Sequence, residues 1–408
     1  NLMVKFKSSK DYIQQASKIM GFDTQEPGLA QKISERSMVI RSANGAEIVD
    51  QENNVYTDYC MADGALILGH AHRNVVLAAK KTAERGISFC SFTRHEVELA
   101  EHIVRRIPSL EVVRLCQTSA QAIKNAISLS REFTQRKIVV SFSGCSYDNV
   151  HTDEGDDINV KLPYNDIEAL DKIVSKINGE IACFLVEPVA TTMGIVYAES
   201  KFLQALKDLS KKHGIVLIFD EINTAFRGLK ASYQQECGIN ADITCLGKII
   251  GAGFPLGAYG GRREIIQCLD SKEDQFNDDA FYQCPVIAKA GLAALRLLNE
   301  NLYKGLERRA NNFFTRLNEI FKINDINAYA SCYKSIMSIY FRKEPIYNLN
   351  GYMEASSETE YDKLYEYLKS NGIRFPRSYN KPFCISALHR KKDLNKLLSF
   401  IEEYFLKQ

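Results

Sequence analysis

Two short stretches hold residue types able to do chemistry at a suitable spacing. GIVLIFDEINTAFRG, Gly214 to Gly228, carries an apolar run that ends on Asp220. CLGKIIGAGFPLGAYGGRRE, Cys245 to Glu264, places Lys248 directly after another. A lysine and an aspartate at the ends of neighbouring buried strands are the pair that pyridoxal phosphate chemistry needs. The amine would hold the cofactor's aldehyde as a Schiff base. The carboxylate would keep the pyridine nitrogen protonated, so that the ring can draw electrons. Apolar flanks around Lys248 matter because a desolvated lysine gives up its proton more readily. The spacing alone does not single out this chemistry, since any α/β protein has lysines and aspartates at strand ends, and Asp220-Glu221 could equally cap a helix.

A third segment points to the same place. Val113-Arg114-Leu115-Cys116 reads as a strand, followed by Thr118-Ser119-Ala120-Gln121 and a helix with Ala122, Ile123, Ala126 and Ile127 on its inner face. Thr118 and Gln121 predict a capping box. A helix start with free N–H groups and two hydroxyls suits a phosphate, and it also suits a plain N-cap. Gly251, Gly253, Gly257, Gly260 and Gly261 after Lys248 allow close approach to a flat ligand, or mark a turn and a bulge. They are too loosely spaced for a dinucleotide fingerprint. His70, His72 and His95 are read as structural, because a lysine released from an imine can move protons itself.

The elements that must position these residues alternate. Apolar runs at Val112–Cys116, Ile138–Phe142, Ile181–Val186, Ile215–Phe219 and Ile243–Leu246 predict strands, with helical patterns between most of them. That order implies an α/β fold with a largely parallel sheet. Earlier, two short strands, Ser37–Arg41 and Ala46–Val49, are expected around Asn44-Gly45. A long helix, Val286–Glu300, connects to a smaller α+β region with strands at Ser335–Arg342 and Pro382–Ala387 and a terminal helix, Lys392–Leu406. The expected division is an N-terminal segment 1–50 packing on the small domain, a large cofactor-binding domain 51–290 and a small domain 291–408.

Composition excludes several classes. The 408 residues carry a net charge of +2, with no dense Lys/Arg stripe to hold nucleic acid. No apolar segment is long enough to span a membrane, and the opening residues lack a signal-peptide pattern. Eleven scattered cysteines without a CxxC pair predict reduced thiols in a cytoplasm, and neither a disulfide frame nor a metal site.

Longer motifs add a resemblance. IVDQENNVYTDYCMADGALILGHAHRNV (Ile48 to Val75), ERGISF (Glu84 to Phe89), VEPVATTMGIV (Val186 to Val196), the two stretches above and NGIRFPRSY (Asn371 to Tyr379) follow one another in order. The chain resembles the class III, fold-type-I pyridoxal phosphate aminotransferases, in particular the glutamate-1-semialdehyde aminomutase branch. The resemblance implies Lys248 as the Schiff-base lysine and Asp220 as the pyridinium partner, with Ile222 against one ring face. It implies Ser119 and Ala120 as phosphate N–H donors, Glu187 as the start of the loop under the ring substituents, and a homodimer with a shared active site.

Departures from the family pattern narrow the function. Thr118-Ser119-Ala120-Gln121 replaces Ser-Gly-Thr-Glu, and the partner subunit's phosphate threonine falls at about Ala280. The stacking aromatic aligns with Ser146, so Tyr147 stacks only if the backbone shifts by a place. Gly21 to Gln31 has no arginine to clamp a substrate carboxylate, Lys381 falls where the aminomutase branch has a glutamate, and the lid after Tyr147 is cut short between Asp148 and Tyr164. The expectation is an aminotransferase acting between an amino donor and a separate carbonyl acceptor, with Lys381 and Arg377 near an anionic tail of the substrate. Alternatives are an isomerase (aminomutase or racemase) and a binding or scaffold member that has lost catalysis.

Overall fold

A computed structural model of the chain describes residues 8–19, 38–89, 91–147, 159–268, 284–355 and 357–407. Its centre is a seven-stranded sheet. In chain order the strands are β1 (Val112–Cys116), β2 (Ile138–Phe142), β3 (Asn159–Leu162), β4 (Ile181–Val186), β5 (Val216–Asp220), β6 (Ile243–Leu246) and β7 (Gly257–Gly261). Their spatial order is β1-β7-β6-β5-β4-β2-β3. Neighbours are parallel except at β7, which runs antiparallel to both β6 and β1.

The strand sequences dictate this burial. On β2, Ile138, Val140 and Phe142 enter one apolar cluster, while Val139 enters another on the opposite face. On β5, Leu217 and Phe219 alternate in the same way with Val216 and Ile218. Side chains of period two that are apolar on both faces need cover above and below. The helix Ser119–Thr134 supplies one layer through Ala122, Ile123, Ala126 and Ile127. The helix Ser200–His213 supplies the other through Phe202, Leu203 and Leu206.

The glycines after Lys248 differ from the flat-ligand reading. Gly257, Gly260 and Gly261 lie within β7. A Cβ at these positions would fall 2.1 Å from Thr118 O, 2.4 Å from Val112 O and 2.0 Å from Asp242 O. They are small so that β7 can wedge between its neighbours. Sequence patterning missed the strand because glycine weakens the apolar signal.

Outside the main sheet, Ile40–Asn44, Glu47–Asp50 and Val55–Asp58 form an antiparallel meander whose first turn falls at Asn44-Gly45 as expected, with the first strand lying a few residues later than Ser37–Arg41. Ile373–Arg374 adds to it in parallel, pairing with Thr57 and Asp58. The expected connector ends early: Pro285–Leu297 is followed by a second helix, Glu300–Ile323, whose Asn299 cap accepts from Leu302 N at 3.0 Å. A three-stranded sheet of Tyr329–Tyr333, Ile336–Tyr340 and Phe383–Cys384, with the helix Lys391–Leu406, follows. Among the described residues no helix is long and apolar enough to cross a membrane.

Candidate active site

Lys248, Asp220 and Ser119 meet where β5 and β6 end and the helix after β1 begins. Asp220 is the last residue of β5 and pairs in register with Cys245 on β6, three residues before Lys248. Gly247 makes the junction possible. A Cβ there would lie 2.0 Å from Ser119 Oγ and 3.2 Å from Ile222 Cγ2. Lys248 then opens a 3-10 turn, Lys248–Gly251, with a left-handed φ of 48°. A non-glycine residue in that region carries strain of about 1–3 kcal/mol, which packing on both sides must hold in place.

Asp220 is 3% exposed. Its Oδ1 accepts from Ile222 N at 3.0 Å, while Oδ2 is buried without a partner. Burial, then the nearby Glu187, push its carboxyl well above the usual range. Glu221 next to it is fully buried and satisfied by Ser232, Tyr233 N (2.6 Å), Gln234 Nε2 (2.9 Å) and Thr224. Gln234 also donates to Thr244 Oγ1 on β6 at 2.9 Å. This network ties the segment after Asp220 to the strand that leads to Lys248, so both side chains are held by one frame.

At the phosphate-type turn, Thr118 Oγ1 accepts from Gln121 N at 3.1 Å, but the Gln121 amide donates to Asn125 at 2.7 Å. The predicted capping box is therefore only half formed. Thr118 and Ala120 are exposed and Ser119 is partly buried, at the first turn of the helix Ser119–Thr134. Such an N-terminus presents free N–H groups and the positive end of the helix dipole.

Ile222 and Tyr147 pack in the cluster that holds Cys116 and Cys245. Burial raises the Tyr147 hydroxyl, with Asp220 adding to the shift. The Ser146 backbone N–H donates to Glu187 Oε1 at 2.5 Å, and Thr191 N and Oγ1 donate to Oε2 at 2.9 and 3.1 Å. Glu187, 2% exposed, thus pins the turn carrying Tyr147. Ala280, Gly21–Gln31 and the shortened lid at 148–158 lie outside the described residues.

The mouth holds residues that the sequence reading passed over. Met61, Ala62, Asp63 and Gly64 have φ values of 47°, 50°, 57° and 82°, one left-handed turn that for L-residues costs roughly 1–2 kcal/mol each. Arg227, 1% exposed, holds this turn by donating from Nη2 to Gly64 O at 2.9 Å and from Nε to Asn223 O at 2.8 Å. The turn presents Asp63 Oδ2 3.9 Å from Lys248 Nζ and 2.6 Å from Lys381 Nζ. Burial lowers the Lys248 amine below its ordinary range, and Asp63 works against that shift. Burial alone would raise Asp63, yet Lys248 and Lys381 bring it below the usual carboxylate range. Lys381 therefore already has a counter-charge. Arg374 and His70 both face Asp58, at 3.8 and 2.7 Å. Arg377 is exposed, within electrostatic range of Tyr365. His95 is buried, with Nδ1 unpartnered, and its charged form is disfavoured first by burial and then by Lys289. No run or spacing marks Asp63 or Arg227, because both act through a backbone turn that no residue pattern announces.

The family model for aminotransferase class-III matches residues 30–152 and 148–329. The glutamate-1-semialdehyde 2,1-aminomutase of Fusobacterium nucleatum is 33% identical over 98% of this chain and 98% of its own length. This chain belongs to the class-III aminotransferase family. That of Thermosipho africanus is likewise 33% identical, over 90% of this chain and 91% of its own. Among solved structures, an omega-transaminase from Sphaerobacter thermophilus superposes with a TM-score of 0.85 at 24% identity, covering 99% of this chain and 98% of that one. A glutamate-1-semialdehyde aminomutase from Pseudomonas aeruginosa superposes with 0.84 at 18% identity, covering 97% and 95%. The fold is that of the fold-type-I transferases.

The cofactor of this family is pyridoxal 5′-phosphate, and a neighbour of the same fold is a transaminase with it bound. The residues present fit it. The orphaned Asp220 Oδ2 needs a cationic N–H donor, the Gly247 junction leaves Ser119 at a helix N-terminus, and Lys248 is desolvated.

Proposed function

We propose that the chain is a pyridoxal 5′-phosphate-dependent aminotransferase that moves an amino group between two different molecules. The observation that carries the reading is the buried, unpartnered Asp220 Oδ2 across adjacent strands from a desolvated Lys248. When bound, the cofactor supplies an aldehyde that accepts an amino group and a ring that stabilises negative charge on the adjoining carbon. Lys248 holds that aldehyde and, once displaced by the donor amine, holds and moves the proton at Nζ. Asp220 keeps the ring nitrogen protonated through Oδ2. The N–H groups of Ser119 and Ala120, with the Thr118 and Ser119 hydroxyls nearby, take the phosphate. Ile222 and Tyr147, packed in one apolar cluster, would flank the ring, and Glu187 fixes the turn that carries Tyr147.

Transfer between molecules, as against within one, is supported by Lys381 pairing with Asp63 and by the absence of arginine from Gly21 to Gln31. The second reading is an aminomutase, and the names of the curated relatives favour it. One assay separates the two. The protein in its pyridoxamine form is mixed with glutamate semialdehyde, and 5-aminolevulinate is followed. Slow or absent production without an added donor or acceptor is expected; efficient turnover would restore the aminomutase.

The working unit in this reading is a homodimer. Ile87, Phe89, Phe92 and Val97 are 63%, 50%, 71% and 60% exposed. Nearby, Leu66, Val75, Val76, Ala79 and Phe254 line a cavity of about 530 Å³. Apolar surface on this scale marks a protein partner more often than bare solvent. The domain division at 50 and 290 follows the same reading. Ten cysteines among the described residues are free thiols, in keeping with a cytoplasmic, reducing location.

A further inference from the structure

Asp63 is the carboxylate that the structure brings to the head of Lys248, on a strained turn clamped by a buried arginine. Its Oδ2 holds Lys381 at 2.6 Å and looks toward Lys248 Nζ at 3.9 Å, while no hydrogen bond among the described residues reaches Oδ1. A carboxylate has about four lone-pair positions, so a further donor can bind there without displacing Lys381. The side chain is 49% exposed, hence open to a ligand entering from the mouth. An anionic tail gains little at this spot. The positive charge of Lys381 is spent on Asp63, that of Arg374 on Asp58, and the tail would meet the Asp63 carboxylate.

We propose that Asp63 determines the amino donor, by binding the second ammonium group of a short α,ω-diamine whose first amine reacts in place of Lys248. The inference rests on the aminotransferase reading above. Its geometry sets the donor's length. Nζ marks where the reacting nitrogen arrives, Asp63 stands 3.9 Å away, and a charge-assisted hydrogen bond adds about 2.8 Å. Reckoned through Oδ2, the two nitrogens of the donor lie up to about 6.7 Å apart, and reaching Oδ1 across the carboxylate adds about 2 Å at most, so roughly two to five methylenes fit. Lys381 keeps Asp63 ionised and aimed, so it acts as a positioning residue for this contact. An uncharged chain end of the same length leaves the carboxylate's second oxygen to water.

The test compares 1,4-diaminobutane with butylamine as donors to the cofactor-loaded protein, following loss of the cofactor's visible absorbance, in wild type, Asp63→Asn and Lys381→Met. Asparagine tolerates the left-handed φ, so the turn should persist. Wild type is expected to prefer the diamine by roughly ten- to hundredfold in kcat/KM, the difference lying in KM. In Asp63→Asn that ratio should fall to within about threefold, and in Lys381→Met, with the carboxylate no longer held in place, it should fall only part of the way. No diamine preference in wild type overturns the proposal, as does a preference that Asp63→Asn leaves intact. Turnover with other donors in that event leaves the aminotransferase reading standing; bleaching by no amine at all sinks both.

Discussion

Replacing Asp220 with asparagine should have opposite effects on the empty and the loaded protein, and the opposition itself is the test. In the empty protein Asp220 is 3% exposed, with Oδ2 unpartnered and its pKa well above the ordinary value. The sign follows from proton linkage. The folded state keeps the proton that the unfolded chain releases near the ordinary value of 3.8, so stability falls as pH rises from there to the raised folded pKa. Each pH unit within that window costs the wild type about 1.4 kcal/mol that Asp220→Asn retains. The variant's advantage in urea unfolding should therefore widen as pH rises above about 4. With cofactor bound the sign reverses, because a neutral amide cannot keep the ring nitrogen protonated. Removing one partner of a buried charge pair costs about 3–5 kcal/mol, which lowers cofactor affinity by roughly a hundred- to several-thousandfold. Equilibrium titration with pyridoxal phosphate reads this directly. A variant that bound cofactor within tenfold of wild type, or whose empty form gained nothing as pH rose, would refute the assignment of Asp220 to the ring nitrogen.

Two further predictions concern attachment and assembly. Lys248→Ala should remain folded and lose all cofactor trapped by borohydride, since the amine is the group that condenses with the aldehyde; a labelled lysine elsewhere, found by peptide mapping, would move the role to that residue. Light scattering of the cofactor-saturated protein at micromolar concentration should give a dimer mass, and a saturated monomer would place the exposed apolar residues from Ile87 to Val97 in some other contact.

The sequence made the framework legible because burial leaves a periodic mark. Strands β2, β4 and β6 occupy the spans their apolar runs predict, and β5 ends one residue later, on Asp220 itself. Strand β7 escaped because its glycines serve backbone contact instead of side-chain packing, so the strand carries no alternating pattern. The half-formed cap at Thr118 has a similar origin. Residue types allow Gln121 to reach back, but Asn125 one turn on offers its amide a partner at 2.7 Å. Lys381 read as a free cation because its neutralising partner is far away in sequence and reaches it through a turn of positive φ. Charge compensation is a property of three-dimensional neighbours, and only spacing within one element can forecast it.

Two aspartates stand near Lys248, and their environments divide the labour between them. Burial and Glu187 make Asp220 a site that is costly to ionise until a cation arrives, so its charge is created by the ligand that needs it. Asp63, held between two ammonium groups, is ionised before any ligand enters, and its charge is available to choose one. The lysine lies where both fields are felt. Its amine is pushed toward neutrality by desolvation, the state in which it attacks an aldehyde, while Asp63 limits how far that push goes. Neutralising Asp63 should therefore leave Lys248 more nucleophilic and the mouth less discriminating, so broader donor use is the physical counterpart of a faster-condensing lysine.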